Sequence, residues 1–218
     1  MMMQDESAIA RQLHLAQRLG VLSCSQQQLA ALPRGLTAEP DALAAVQVVD
    51  AAWNCLRAPP AELLGCIDAL LVLDLSCNAL AAWPAGLCMP SLAVLNVSFC
   101  KLQSLPEDMG RQLPRLQQLF AANNFLEALP DSLAACASLQ DVFLSENAFT
   151  ALPQVRVCWQ GCGAAADHVP TRCGACMPTW SALQQQVLGR CLALVKLSVA
   201  ACQLAGPCEE LAGLTDLR

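Results

Sequence analysis

The sequence predicts an α/β solenoid, a stack of short repeats that each contribute one strand, closed at its N-terminal end by a helix. Three observations carry this. Seven segments fit one fifteen-position template. Within each, apolar residues alternate at period two ahead of a polar key position, and residues at helical spacing precede the first segment. The clearest segments are "LLVLDLSCNALAAWP" (70–84), "LAVLNVSFCKLQSLP" (92–106), "LQQLFAANNFLEALP" (116–130) and "LQDVFLSENAFTALP" (139–153). All four follow L-x-x-L-x-L-x-x-[N/C]-x-L-x-x-L-P, where L stands for any large apolar residue and Ala121 is a small substitution. Residues 19–33, 46–60 and 194–208 fit more loosely.

Residues 1–18 supply the cap that a first coil needs, because that coil has no neighbour on one side. In "DESAIARQLHLAQRLG", Asp5 or Ser7 can cap the helix, Ile9, Leu13 and Ala16 fall on one face, and Gly20 follows its end. His14 is expected at the surface or its boundary. The repeats occupy residues 19–154. Leu73 and Leu75 show the period of a strand with alternate side chains inward, and Leu80, Trp83 and Leu87 return from the other wall. One repeat cannot bury its apolar face alone, so stacking makes the core. Each fully buried Leu then contributes about 1.5–3 kcal/mol.

The polar key positions are Gln27, Asn54, Asn78, Cys100, Asn124, Asn147 and Cys202. An amide leaving the strand at a bend can satisfy backbone groups of the neighbouring coil, at about 1 kcal/mol net per bond. These residues are therefore expected to form a structural ladder, with Cys100 and Cys202 as weaker donors. Pro33, Pro60, Pro84, Pro106, Pro130 and Pro153 end the template and favour an extended outer wall with short helical turns.

Successive key positions from Gln27 to Asn147 lie 27, 24, 22, 24 and 23 residues apart, and the next step, to Cys202, is 55. Removing the 32 residues 155–186 restores a step of 23 and aligns "PQVLGRCLAL" with "PDSLAACASL". The insertion holds "CWQGCGAAADHVPTRCGAC" (158–176). Three readings fit it. Cys158, Cys162, Cys173 and Cys176, or three of these with His168, could hold zinc, although the spacing departs from common zinc patterns and few apolar residues support a ligand shell. It could be a Gly-, Ala- and Pro-rich loop. It could also be a retained intron, since every Val155 codon begins with GT and Gln186 can be encoded as CAG. Residues 187–218 resume the repeats. Leu217 and Arg218 begin a further one without a polar cap, so a truncated chain is expected.

The template resembles the leucine-rich repeat family, in its intracellular class of about twenty-three residues per repeat, over roughly residues 8 to 218 apart from the insertion. The resemblance implies a right-handed, curved horseshoe with parallel strands on its concave face and a protein partner bound there. By position, the residues offered to that partner are Asp50, Trp53, Asp74, Asn96, Phe99, Phe120, Asp141, Phe143, Glu146 and Lys196. Aromatics among carboxylates suit an anchor-and-rim interface for a partner with basic and apolar patches. Phe120 and Phe143 stand foremost; the alternative for Trp53 and Phe99 is that they tuck into the bend as core. The resemblance extends to small cytosolic repeat proteins and the Ras-pathway scaffold group. It thus implies a signalling adaptor whose partner is a small GTPase or another signalling protein. The alternatives are a metal-binding module built on the insertion and a structural component of a cytoskeletal or ciliary assembly.

Composition narrows the classes. With 56% hydrophobic and 14% charged residues the chain carries enough apolar surface to fold. No apolar run reaches the roughly eighteen residues of a membrane span. A net charge of −6 argues against general affinity for nucleic acid or anionic lipid. The opening "MMMQDESAIA" has acid where a signal peptide carries positive charge, and fourteen cysteines then read as free thiols of a reducing compartment, packed like small hydrophobes. A cytoplasmic location is expected. With two histidines, no glycine-rich phosphate loop and no nucleophile–base set on the strands, neither an enzyme nor a cofactor is expected.

Overall fold

Parallel strands recur once per repeat in the computed structural model, which describes residues 6–37, 40–149 and 196–198. They are β1 (Val21–Ser23), β2 (Val48–Asp50), β3 (Val72–Asp74), β4 (Val94–Asn96), β5 (Gln118–Phe120), β6 (Asp141–Phe143) and β7 (Lys196–Ser198). Together they make one seven-stranded sheet in sequence order, with every neighbouring pair parallel. This is the expected solenoid. Three-residue strands suffice because the central residue of each of the first six (Leu22, Val49, Leu73, Leu95, Leu119 and Val142) is buried between coils. The two flanking residues stay half-buried on the open face. β7 joins β6 in the common register, Val142 beside Leu197, although residues 144–195 intervene.

Helix α1 (Glu6–Leu19) covers the β1 end. Leu13 and Ala16 are buried and Ile9 packs against the core, as the helical spacing predicts, while His14 is exposed. Ser7 is the second helical residue rather than the cap, because the helix opens at Glu6; Asp5 lies outside the described residues. Gly20 ends the helix at φ +68°, its N–H bonded to the Ala16 carbonyl at 2.8 Å. Glycine adopts that conformation without a steric penalty.

On the outer wall the prolines precede short turns. Pro33 leads into a 3-10 turn (Arg34–Thr37), Pro60 into α3 (Ala61–Leu64) and Pro130 into a second 3-10 turn (Asp131–Ala135); α2 (Pro40–Leu43) and α4 (Met109–Gln112) complete the set. Neighbouring turns touch most closely where α4 meets the second 3-10 turn. A Cβ on Gly110 would collide with the Ser132 carbonyl there, while the Gly110 N–H donates to Ser132 Oγ at 3.0 Å. Leu80, Trp83 and Leu87 are buried, as expected for the wall facing the strands.

The ladder forms at the strand exits. Asn78 Nδ2 donates to the Ala51 and Leu75 carbonyls at 3.0 and 2.9 Å, and its Oδ1 accepts the Leu56 N–H at 2.9 Å. Asn54, Asn124 and Asn147 repeat the arrangement. Gln27 does not. Its longer side chain leaves Oε1 buried without a partner, and in the outermost coil it is the Gln27 N–H that donates, to Asn54 Oδ1 at 3.1 Å.

At Cys100 the ladder thins to weak sulfur contacts with the Leu75 and Ser98 carbonyls, at 3.5 and 3.7 Å. Burial pushes this thiol up to about 11, against the lowering effect of the Asn78 and Leu80 backbone N–H groups that face the sulfur. A side-chain amide is the better partner for both carbonyl and N–H. Cys100→Asn should therefore stabilise the fold by about 1 kcal/mol, read as a higher urea midpoint at unchanged slope. An unaltered or lower midpoint would show that the sulfur already serves the bend as well as an amide.

Cys24 and Cys136 are buried like Cys100, but Cys55, Cys66 and Cys88 are exposed, so the core reading of the cysteines holds for only part of the described set. Cys202, the insertion 155–186 with Cys158, Cys162, His168, Cys173 and Cys176, and the last residues of the chain lie outside the described residues. Among the described residues no group of three or more His, Cys, Asp and Glu could hold a metal ion, and no helix is long and apolar enough to cross a membrane.

Candidate protein-interaction face

Parallel in-register pairing turns single strand positions into rows across the sheet. The first row runs Val21, Val48, Val72, Val94, Gln118, Asp141 and Lys196; the second runs Ser23, Asp50, Asp74, Asn96, Phe120, Phe143 and Ser198. Each strand contributes both, because residues two apart share a face. Apolar and polar character therefore exchange rows between β4 and β5. Four valines flank the carboxylates on the N-terminal side, and Gln118 and Asp141 flank the phenylalanines beyond.

Phe120 and Phe143 stack with ring centroids 4.7 Å apart and an interplanar angle of 3°. Such a pair contributes about 0.5–1.5 kcal/mol beyond its buried area, and both rings stay half-exposed at the open face. Gln118 Nε2 donates to Asp141 Oδ2 at 2.6 Å beside them, and Lys196 stands in register with Asp141.

Asp50, Asp74 and Asn96 have a local role as well as an exposed one. Each accepts from the backbone N–H two residues on, namely Ala52 at 3.1 Å, Ser76 at 2.8 Å and Ser98 at 3.1 Å. These are Asx turns that fold the strand exit. The second carboxylate oxygen of Asp50 accepts from Ser23 Oγ at 3.3 Å, and that of Asp74 from Asn96 Nδ2 at 3.1 Å.

A third row lies at the exits, one residue ahead of each ladder position: Gln26, Trp53, Cys77, Phe99, Asn123 and Glu146, all at φ between 54° and 58°. This left-handed conformation turns their side chains away from the core. Trp53 is 63% and Phe99 56% exposed, which overturns the alternative that they tuck into the bend. Burial first, and the Asp74 carboxylate second, raise the pKa of the Cys77 thiol in the same row, so it presents a neutral, weakly polar group.

The partner-facing set named from sequence is thus divided among three rows rather than gathered into one patch. The valine row and Cys77 were missed. The signal for the valines was the residue just ahead of the inner strand Leu or Val, which is Val in four successive coils.

The chain matches the family model "Leucine rich repeat" over residues 90–149. It is 40% identical over 74 residues to mouse (Mus musculus) leucine-rich repeat and calponin homology domain-containing protein 1, which covers 34% of this chain and 10% of that protein. It is 29% identical over 132 residues to plant intracellular Ras-group-related LRR protein 8 of Oryza sativa subsp. japonica, covering 59% of this chain and 33% of the relative. The chain therefore spans a third or less of the length of these two relatives. Among solved structures, a Shigella effector LRR domain superposes with a TM-score of 0.53 at 21% identity, covering 68% of this chain and 60% of the other, a likeness of fold alone. The repeat template, the in-register parallel sheet, the asparagine ladder and the family match agree: residues 90–149 are leucine-rich repeats, and the described coils form a leucine-rich repeat solenoid.

Proposed function

We propose that the chain is a non-catalytic scaffold that binds a protein partner on its concave strand face and acts as a cytoplasmic signalling adaptor. The Phe120–Phe143 stack carries this reading. Two half-exposed aromatic rings occupy adjacent strands on an open sheet, where they leave apolar surface facing solvent. Rigid aromatic anchors in a polar surround are what protein interfaces use for most of their binding energy. The name of the rice relative refers to the Ras group, and a small GTPase or another signalling protein is accordingly the partner class carried over to this chain.

The test is affinity capture from a native extract with the full chain, comparing the parent with a Phe120→Ser/Phe143→Ser double variant. Partners captured by the parent should fall at least about thirtyfold in the variant, the roughly 2 kcal/mol of one hot spot, while circular dichroism stays unchanged. Equal capture by both proteins would remove the concave-face reading.

A further inference from the structure

The exit row poses a question that the stacked phenylalanines do not answer. A left-handed backbone is unfavourable for bulky L side chains and tolerable for Asn. Asn123 occupies this position in the fifth coil, yet Trp53 and Phe99 occupy it in the second and fourth, with their rings more than half exposed. Folding gains little from either ring. The Trp53 N–H donates to the Ser76 carbonyl and the Cys77 N–H to the Ser98 carbonyl, both at 2.9 Å, so Trp53, Cys77 and Phe99 stand in line on three successive coils.

Charge identifies what fits against them. The six strands β1–β6 and their exits comprise residues 21–26, 48–53, 72–77, 94–99, 118–123 and 141–146. They carry the carboxylates of Asp50, Asp74, Asp141 and Glu146, and no Lys, Arg or His among them. Asp50 and Asp74 lie three residues ahead of Trp53 and Cys77, along the same flank.

Spacing identifies its form. Coils repeat at the strand separation of about 4.7–4.9 Å, so three coils span about 10 Å. An α-helix has a pitch of about 5.4 Å and covers about 10.5 Å between i and i+7, which places residues i, i+3 or i+4, and i+7 over successive coils.

We propose that the row Trp53–Cys77–Phe99, with Asp50 and Asp74 beside it, receives a basic amphipathic helix of a partner protein, lying across the strands with its apolar stripe on the row and its cations toward the carboxylates. The inference rests on the scaffold reading and adds the chemistry of the partner segment.

Fluorescence anisotropy tests it with the full chain and two panels of labelled helical peptides of about fourteen residues. Both panels are apolar at i, i+3 or i+4, and i+7; one fills the remaining positions with Lys and Arg, the other with Glu. The basic panel should bind and the acidic panel should not. Trp53→Asn with Phe99→Asn keeps a residue suited to the left-handed exits and should weaken binding by roughly tenfold or more. Asp50→Asn with Asp74→Asn keeps the Asx turns, and should weaken binding and flatten its salt dependence.

Equal binding of both panels, binding by neither, or unchanged affinity of the Trp53→Asn/Phe99→Asn variant would overturn the proposal. So would self-association of the chain that this variant abolishes, which would assign the row to a second copy. If no basic peptide binds while native capture still depends on Phe120 and Phe143, the helix proposal falls and the concave-face function stands.

Discussion

Asn78→Ala is expected to lower stability by about 3 kcal/mol. The change leaves the buried Leu56 N–H without its acceptor, and an unmet buried backbone group costs about 1–3 kcal/mol by itself. It also removes the donors that hold the Ala51 and Leu75 carbonyls of two adjacent coils. Water cannot replace them, because Asn78 is buried and the coils close over the site. Cys100→Ala, at the same position one coil later, removes weaker sulfur contacts, to two carbonyls and to the Asn78 and Leu80 N–H groups, and should cost roughly 1 kcal/mol. Urea denaturation of the two variants checks the pair. Similar losses from both would mean that the amide bonds of the ladder carry no particular weight in this fold.

Gly110→Ala comes next in size, and it acts on the opposite wall. The added Cβ meets the Ser132 carbonyl, the Ser132 carbonyl carbon and the Leu133 nitrogen, all backbone atoms that cannot rotate aside. Overpacking of this kind costs about 1–3 kcal/mol, and the upper end is expected where backbone must move. Ser132→Ala removes the hydroxyl that accepts the Gly110 N–H and should cost about 1 kcal/mol. Thermal unfolding of both variants separates contact from hydrogen bond. A Gly110→Ala variant that melts with the parent would show that the two outer turns part without cost.

The sequence revealed those features of the fold that depend on chemistry repeated at a fixed interval. Leu73 and Leu95 had to be inner strand residues because apolar period two leaves no other face for them, and Asn78 and Asn124 had to bond backbone because they recur at the bend. Gly110 gave no such signal, since its importance lies in how near one outer turn comes to the next. Repeat position offered Trp53 and Phe99 to the partner but left the core of the bend open as an alternative, because hydropathy places an aromatic ring inside; the positive φ at the exit turns both rings out. Repeat position placed Asp50 and Asp74 on the partner-facing side, but each also spends one oxygen on its own turn, a bond that spans two residues and belongs to no period. The three-row division of the face follows from register, which a list of positions does not contain.

The weak rung at Cys100 has a consequence for how the stack comes apart. A solenoid behaves approximately as a one-dimensional chain of units coupled to their nearest neighbours, so its cooperativity is set by its poorest coupling. Amide rungs join the coils at Asn54 and Asn78 on one side and at Asn124 and Asn147 on the other, with a thiol between them. Among the described coils that interface has the weakest side-chain rung, and an unfolding end is expected to pause there. It falls beside Phe99, so the edge of the aromatic row and the thiol rung lie in the same coil.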